Sequence, residues 1–232
     1  MAVRFAGTMG LVGTTWQARG YAGEGGQDQL GTLSGKTVLV CGSARTVFAD
    51  LAAAQAGTED PVILAVNDVG MFLPRLDHWV TLHSDNLGAW KAVRWCQAAK
   101  SERTVYHTPD PRPYSDVAWT ALRPLFCLSG YFGMQLAWIM GAARIILCGC
   151  PGDATPRFFE GTLRELKGDG DVFGYGNGQK GSDEDIRHQL EAEMARLPEF
   201  KGAVRSMSGW TRDFFGAPDF ESHAGGHHHV PG

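Results

Sequence analysis

Short apolar runs alternate along the chain with longer segments whose apolar positions recur every three to four residues. Residues 37–42 (TVLVCG), 61–67 (PVILAVN) and 143–150 (ARIILCGC) are nearly unbroken apolar runs of strand length. Such runs predict strands buried on both faces, because a strand with one wet face would alternate. Two weaker runs, 77–83 (DHWVTLH) and 103–108 (RTVYHT), predict two more strands, and 203–208 (AVRSMS) predicts a last one. Between them, 43–57 predicts a helix from Ser43 to near Gly57, and 84–100 one with Ser84 or Asp85 as its N-cap. Residues 128–142 (LSGYFGMQLAWIMGA) are apolar almost all round, the pattern of a helix buried on both sides. Ser182 opens a further helix with acidic residues in its first turn, as the macrodipole prefers, and an apolar stripe of Ile186, Leu190, Met194 and Leu197.

Strands alternating with helices imply βαβ units. The expected class is α/β: a Rossmann-like, mostly parallel sheet with helices on both faces, in a single domain over 36–216. Residues 1–35 are rich in glycine and polar residues and read as an irregular N-terminal arm, the candidate contact for a homo-oligomer. The Gly- and Asp-rich stretch 151–181 reads as a lid or binding loop, and 217–232 as a flexible tail.

Composition narrows the class. With 232 residues, 44% hydrophobic and 20% charged, the chain can bury one substantial core. A net charge of −4 argues against general electrostatic capture of nucleic acid. No run approaches the ~20 apolar residues of a membrane span, and the N-terminus lacks the layout of a secretory signal. Five cysteines, without a Cys-x-x-Cys pair, read as reduced thiols of a cytoplasmic protein.

Gly35-Lys36-Thr37 resembles the end of a P-loop, but Leu30 stands where the first glycine belongs and the strand follows the Lys-Thr pair instead of preceding it. The richer signal lies at the other strand ends: Gly42-Ser43-Ala44, Asn67-Asp68, His83-Ser84-Asp85, and Gly149-Cys150 followed by Asp153. In a parallel sheet these share the carboxyl edge, where ligands bind at a topological switch point. Gly42 allows close backbone approach, and a helix N-terminus offers N–H groups to an anion. The Asn67 amide suits a base edge or a ribose hydroxyl. His83 beside Asp85 is a candidate acid/base pair. Each loop also has a plain reading as turn and cap.

The succession VLVCGSA, ILAVNDV and SGYFGMQLAWIMGAARIILCGCPGD resembles the sialyltransferase-like Rossmann proteins over about residues 37–153. This group includes bacterial sialyltransferases that use a CMP-sugar and a related set around hydroxymethylpterin diphosphokinase. The resemblance implies that Gly42, Ser43, Asn67, Ser129, Gly130 and Gly149 surround a nucleotide. Cys150 stands where the family usually carries an acidic residue, with Asp153 three residues later as the available substitute.

The expected function is a nucleotide-binding transferase. It would move a sugar from a nucleotide-activated donor to a hydroxyl acceptor by direct displacement, with no required cofactor. His83 or Asp85 would act as the base, with Asp153 as a further catalytic candidate; Ala44, Asp68 and Cys150 complete the nucleotide loops. An alternative is pyrophosphoryl transfer to a small alcohol with Mg²⁺ held by Asp68, Asp85 and Asp153. Another is a non-catalytic assembly protein on a Rossmann-like core. His188 lies about 200° from Ile186 on the helix wheel and is expected to face solvent. Asp169 and Asp171 lack the register of a calcium loop, and His227-His228-His229 sit in the tail.

Overall fold

The computed structural model describes residues 25–96, 103–120, 122, 128–153, 155, 157–158 and 183–220. Seven strands, β1 (Thr37–Cys41), β2 (Val62–Val66), β3 (His78–Val80), β4 (Val105–Thr108), β5 (Val117–Ala118), β6 (Arg144–Cys148) and β7 (Val204–Ser206), form one sheet. Its order is β5-β4-β3-β2-β1-β6-β7, and every pairing is parallel. From β1 the chain steps outward through β2 to β5, then returns to the opposite side of β1 for β6 and β7. The switch point therefore lies between β1 and β6.

The unbroken apolar runs fold as double-sided strands because both faces are covered. In β1, Val38 and Val40 face one cluster while Leu39 and Cys41 face the other, and all four are buried. Helices α1 (Val47–Ala56) and α2 (Leu87–Cys96) cover the Leu39 face. Helix α3 (Ser129–Ile139) crosses the middle of the other face and buries every residue except Gly130. Its outer side lies under α4 (Asp183–Arg196), α5 (Pro198–Ala203) and α6 (Gly209–Phe215), with Trp138 and Phe200 stacked at 5.3 Å. Each large apolar side chain so enclosed contributes about 1.5–3 kcal/mol, which outweighs the weak helix propensity of the aromatic residues in α3. The stripe of α4 is as expected: Leu190 and Met194 are buried, and Ile186 and Leu197 pack against the same cluster.

Several boundaries differ from the sequence expectation. Helix α1 begins at Val47 and not Ser43, because Ala44 pairs in an antiparallel bridge with Arg157 and holds 43–44 in the loop. Neither Ser84 nor Asp85 caps α2. They lie in a 3-10 turn, Ser84–Asn86, that leads into the helix, and no side chain caps that turn. Strand β3 stops at Val80, since the Thr81 hydroxyl accepts the N–H of His83 (2.8 Å) and turns the chain. The two-residue β5 and helices α5 and α6 were not anticipated.

The described part of the arm is docked: Leu33 is buried and its N–H donates to Met140 O at 2.9 Å. At the other end, Arg144 Nη2 donates to Asp219 O at 2.6 Å and Phe220 packs on Gly57. The remainder of the arm, of the 151–181 loop and of the tail lies outside the described residues, as do Ser182, Asp169, Asp171 and His227 to His229.

Candidate functional site

At the carboxyl ends of β1 and β6 the chain satisfies itself. Gly42 N–H donates to Cys148 O (2.8 Å) and Ala44 N–H to Gly149 O (3.1 Å). A Cβ on Gly42 would lie 2.5 Å from both Cys150 Sγ and Gly149 O. The close approach that requires glycine at position 42 is therefore to the chain's own β6 loop. Gly149 has φ +62°, and a Cβ there would lie 2.5 Å from Val47 Cβ. At the start of α1, Asp50 Oδ2 accepts from Gly149 N–H (2.9 Å), Thr46 Oγ1 (2.9 Å) and Ser208 Oγ (2.7 Å). An internal carboxylate thus already draws on the donors that cluster where an anion would sit in an open switch point. The Cys150 sulfur points inward, 3.9 Å from Val40 O, and burial with the neighbouring Cys148 pushes its thiol up to about 12. At neutral pH it is an inert thiol.

The ends of β1, β2 and β3 are different. Asn67 follows β2 in the left-handed region, φ +59°, an uncommon conformation that asparagine tolerates better than most residues. Trp79 Nε1 donates to its backbone carbonyl at 2.5 Å. Thr81 Oγ1 accepts from His83 N–H, so its single hydrogen goes to Asn67 Oδ1 (2.8 Å). Asn67 Oδ1 is thereby engaged. Ser43 Oγ donates to Oδ1 of the fully buried Asp68. Ser129 Oγ accepts from Leu82 N–H at 3.4 Å, which brings the start of α3 against the turn that carries His83. No side chain caps α3, and a Cβ on Gly130 would meet only Cys150 Sγ, at 3.7 Å.

Burial lowers the pKa of His83, Arg157 lowers it further, and Asp68 acts in the opposite sense. The imidazole is therefore neutral at pH 7 and retains a basic nitrogen. The carboxylate that acts on it is Asp68 and not, as the sequence suggested, Asp85. The Asp85 side chain is 84% exposed and pairs with Arg112 at 3.3 Å. Asp153 accepts from the N–H (3.0 Å) and hydroxyl of Thr155, the pattern of a local turn. The three aspartates considered for Mg²⁺ thus have separate partners, and among the described residues no group of three or more His, Cys, Asp or Glu side chains gathers for a metal. His188 faces solvent, as its place on the wheel predicts, between Glu184 and Glu191. Lys36 is exposed before β1, at the opposite edge, so the P-loop resemblance has no structural counterpart.

Three participants escaped the sequence reading. Asp50 falls within the predicted helix 43–57 and Thr81 within the predicted strand 77–83, where nothing in the pattern singles them out. Arg157 lay in a loop without pattern, yet it bridges to Ala44, while Phe158 N–H donates to Ser43 O at 3.0 Å. The available signal for that segment was the aromatic pair Phe158-Phe159 in a Gly- and Asp-rich stretch.

Among the described residues no helix is long and apolar enough to cross a membrane. No family model, curated protein or solved structure matches the chain, so functional assignment rests on the geometry of this edge.

Proposed function

We propose that the protein is a nucleotide-binding transferase that moves a sugar from a nucleotide-activated donor, a CMP-sugar or another nucleotide sugar, to a hydroxyl acceptor. One observation carries this reading: a neutral imidazole, a buried carboxylate, an asparagine amide and small hydroxyls gather at the carboxyl edge of a parallel sheet. His83 takes the proton of the acceptor hydroxyl as its oxygen attacks the anomeric carbon. The bond from that carbon to the donor phosphate breaks, and its electron pair leaves on the phosphate oxygen. The Asp68 carboxylate favours the imidazolium that forms. Asp85, exposed and paired with Arg112, has no part in this step.

Thermal shift with CMP, UDP, GDP, ATP and their sugar derivatives, with and without Mg²⁺, tests binding, since a ligand of the native state stabilises by mass action. His83→Gln is expected to lower kcat by about 10²–10⁴-fold while donor binding persists. Because the His83 pKa is lowered, wild-type turnover should hold down to a pH below the ordinary imidazole value before it falls. Strictly Mg²⁺-dependent ATP binding would favour pyrophosphoryl transfer instead. Absence of any nucleotide binding would favour an assembly role.

A further inference from the structure

The sheet holds a buried polar group that the proposed reaction does not use. His78 on β3 and His107 on β4 face the α3 side, since the rows Leu64–His78 and Val80–His107–Val117 run through the cluster that α3 covers. Trp119, just past β5, is buried beside them, and its Nε1 donates to His107 Nδ1 at 3.1 Å. An indole nitrogen can only donate, so the His107 hydrogen lies on Nε2 and goes to His78 Nδ1 at 2.9 Å. Both basic nitrogens of the pair are thereby taken. One further proton puts three hydrogens into two contacts, and one contact must then set N–H against N–H. Proton uptake therefore breaks a bond. The histidines sit on adjacent inner strands, whereas Trp119 follows a two-residue strand at the end of the sheet, so the Trp119 contact is the one that yields.

We propose that His78, His107 and Trp119 form an acid-released latch that holds β5 and the arm segment from Gly25 on the sheet. The arm lies directly on this group: a Cβ on Gly26 would be 2.6 Å from the Trp119 ring, and one on Gly25 2.4 Å from Ala118 O. When the indole leaves His107, the arm loses the surface it rests on, and the bond from Trp119 N–H to Thr108 O (2.9 Å) loosens with it. Asp77 favours an imidazolium at His78, but burial outweighs it, and His78 disfavours a charge on His107. The covering helix α3 carries Tyr131 and no charged residue. Tyr106 lies on the opposite face against Trp79, and Asp116 accepts the Tyr106 N–H. Asp28 in the arm, and Asp110 and Arg112 before β5, are exposed. The open form takes up protons that the closed form refuses. Opening therefore rises as pH falls below the ordinary imidazole value of about 6.5, by about tenfold per pH unit for each proton.

Amide hydrogen exchange of the full chain, read by NMR from pH 7.5 to 5 and corrected for the intrinsic pH dependence of exchange, tests the latch. Gln29, Leu30, Asp116 and Trp119 have bonded N–H groups in the closed form. Their protection should fall as pH drops, while the amides of β1 and β6 hold theirs, the mark of a local opening. His107→Asn has a side-chain oxygen that can accept the indole N–H and does not titrate, so these four amides should stay protected at pH 5. Trp119→Phe has no N–H to expel and should show a smaller acid response; it serves if His107→Asn does not fold. Equal protection of the four amides at pH 7.5 and 5 would overturn the latch. So would a loss shared equally by β1 and β6, as in global unfolding, or a full acid response in folded His107→Asn or Trp119→Phe.

Discussion

The β1–β6 junction and the β1–β2–β3 edge lie side by side on one sheet and use the same kinds of residue, yet they are built for opposite ends. At the junction, small residues let two loops touch, and Asp50 accepts from Gly149, Thr46 and Ser208. At the neighbouring edge, Thr81 binds Asn67 Oδ1, Ser43 binds the buried Asp68, and the His83 imidazole feels both Asp68 and Arg157. The topological rule points to this edge of the sheet and to the β1–β6 pair, where the two loops close on each other. In this chain the switch point is closed by its own backbone, and the candidate polar groups stand one strand over.

The comparison breaks most directly by substitution of the left-handed residue on each side, Gly149 and Asn67. Gly149→Val combines a left-handed φ with a clash against Val47 backbone and side chain. Overpacking and backbone strain together should cost about 3 kcal/mol or more, read by chemical denaturation. The outward edge should behave in the reverse way. Asn67→Gly relieves a strained φ and gives up one hydrogen bond, so stability should change by no more than about 1 kcal/mol while ligand binding weakens. A stable Gly149→Val protein would show that the junction is open.

Asp50→Ala should follow in size. It leaves the Gly149 N–H and two hydroxyls without their acceptor inside the junction, a loss of about 2 kcal/mol. If instead the variant gains affinity for an added anion, the carboxylate is a plug in a binding site and not a staple.

Acid separates the edge from the interior. Trp119 Nε1 donates to His107 Nδ1 (3.1 Å), because an indole N–H can only donate. The His107 proton therefore lies on Nε2 and goes to His78 Nδ1 at 2.9 Å. Both histidines are neutral in the fold: burial lowers His107 strongly, with His78 adding to it, and burial lowers His78 against the pull of Asp77. Their folded pKa values lie below the unfolded value of about 6.5. Above that pH neither of them affects stability. Below it the unfolded chain binds protons that the native state refuses, so stability falls as pH drops toward the folded values, by up to about 1.4 kcal/mol per pH unit for each proton. Denaturation curves from pH 7.5 to 5 should show this slope. A flat profile would mean that water reaches the pair.

The sheet was legible because runs such as VILAV are buried on both faces and leave little choice of structure. The all-apolar α3 was legible for the same reason. Strand β5 was not, since two residues after a proline-rich connection carry no period, and its pairing depends on β4 being in place. The site was partly legible. Ser43, Asn67, Asp68 and His83 end strands, and strand ends can be counted along the chain. Arg157 takes its place from an aromatic contact among three separate segments, Phe48, Phe72 and Phe158, which no local pattern encodes. Proximity in sequence misled at Asp85: adjacency suggested a pair with His83, but the 3-10 turn directs the two side chains to different partners.

Asp85 also supplies the smallest expected effect, and the one that bears most closely on the choice of base. Its pair with Arg112 is solvent-exposed on both sides, 84% and 41%. Screening by water and salt leaves such a pair worth under about 0.5 kcal/mol. Asp85→Asn should therefore leave stability, nucleotide affinity and turnover nearly as in wild type, while His83→Gln removes most turnover. Measured side by side under the same donor and acceptor concentrations, the two variants assign the proton. A large fall in kcat for Asp85→Asn with binding intact would shift the base from the His83 imidazole to the Asp85 carboxylate. It would also require the 3-10 turn, Ser84–Asn86, to rearrange when substrate binds, because in its present form that turn commits Asp85 to Arg112.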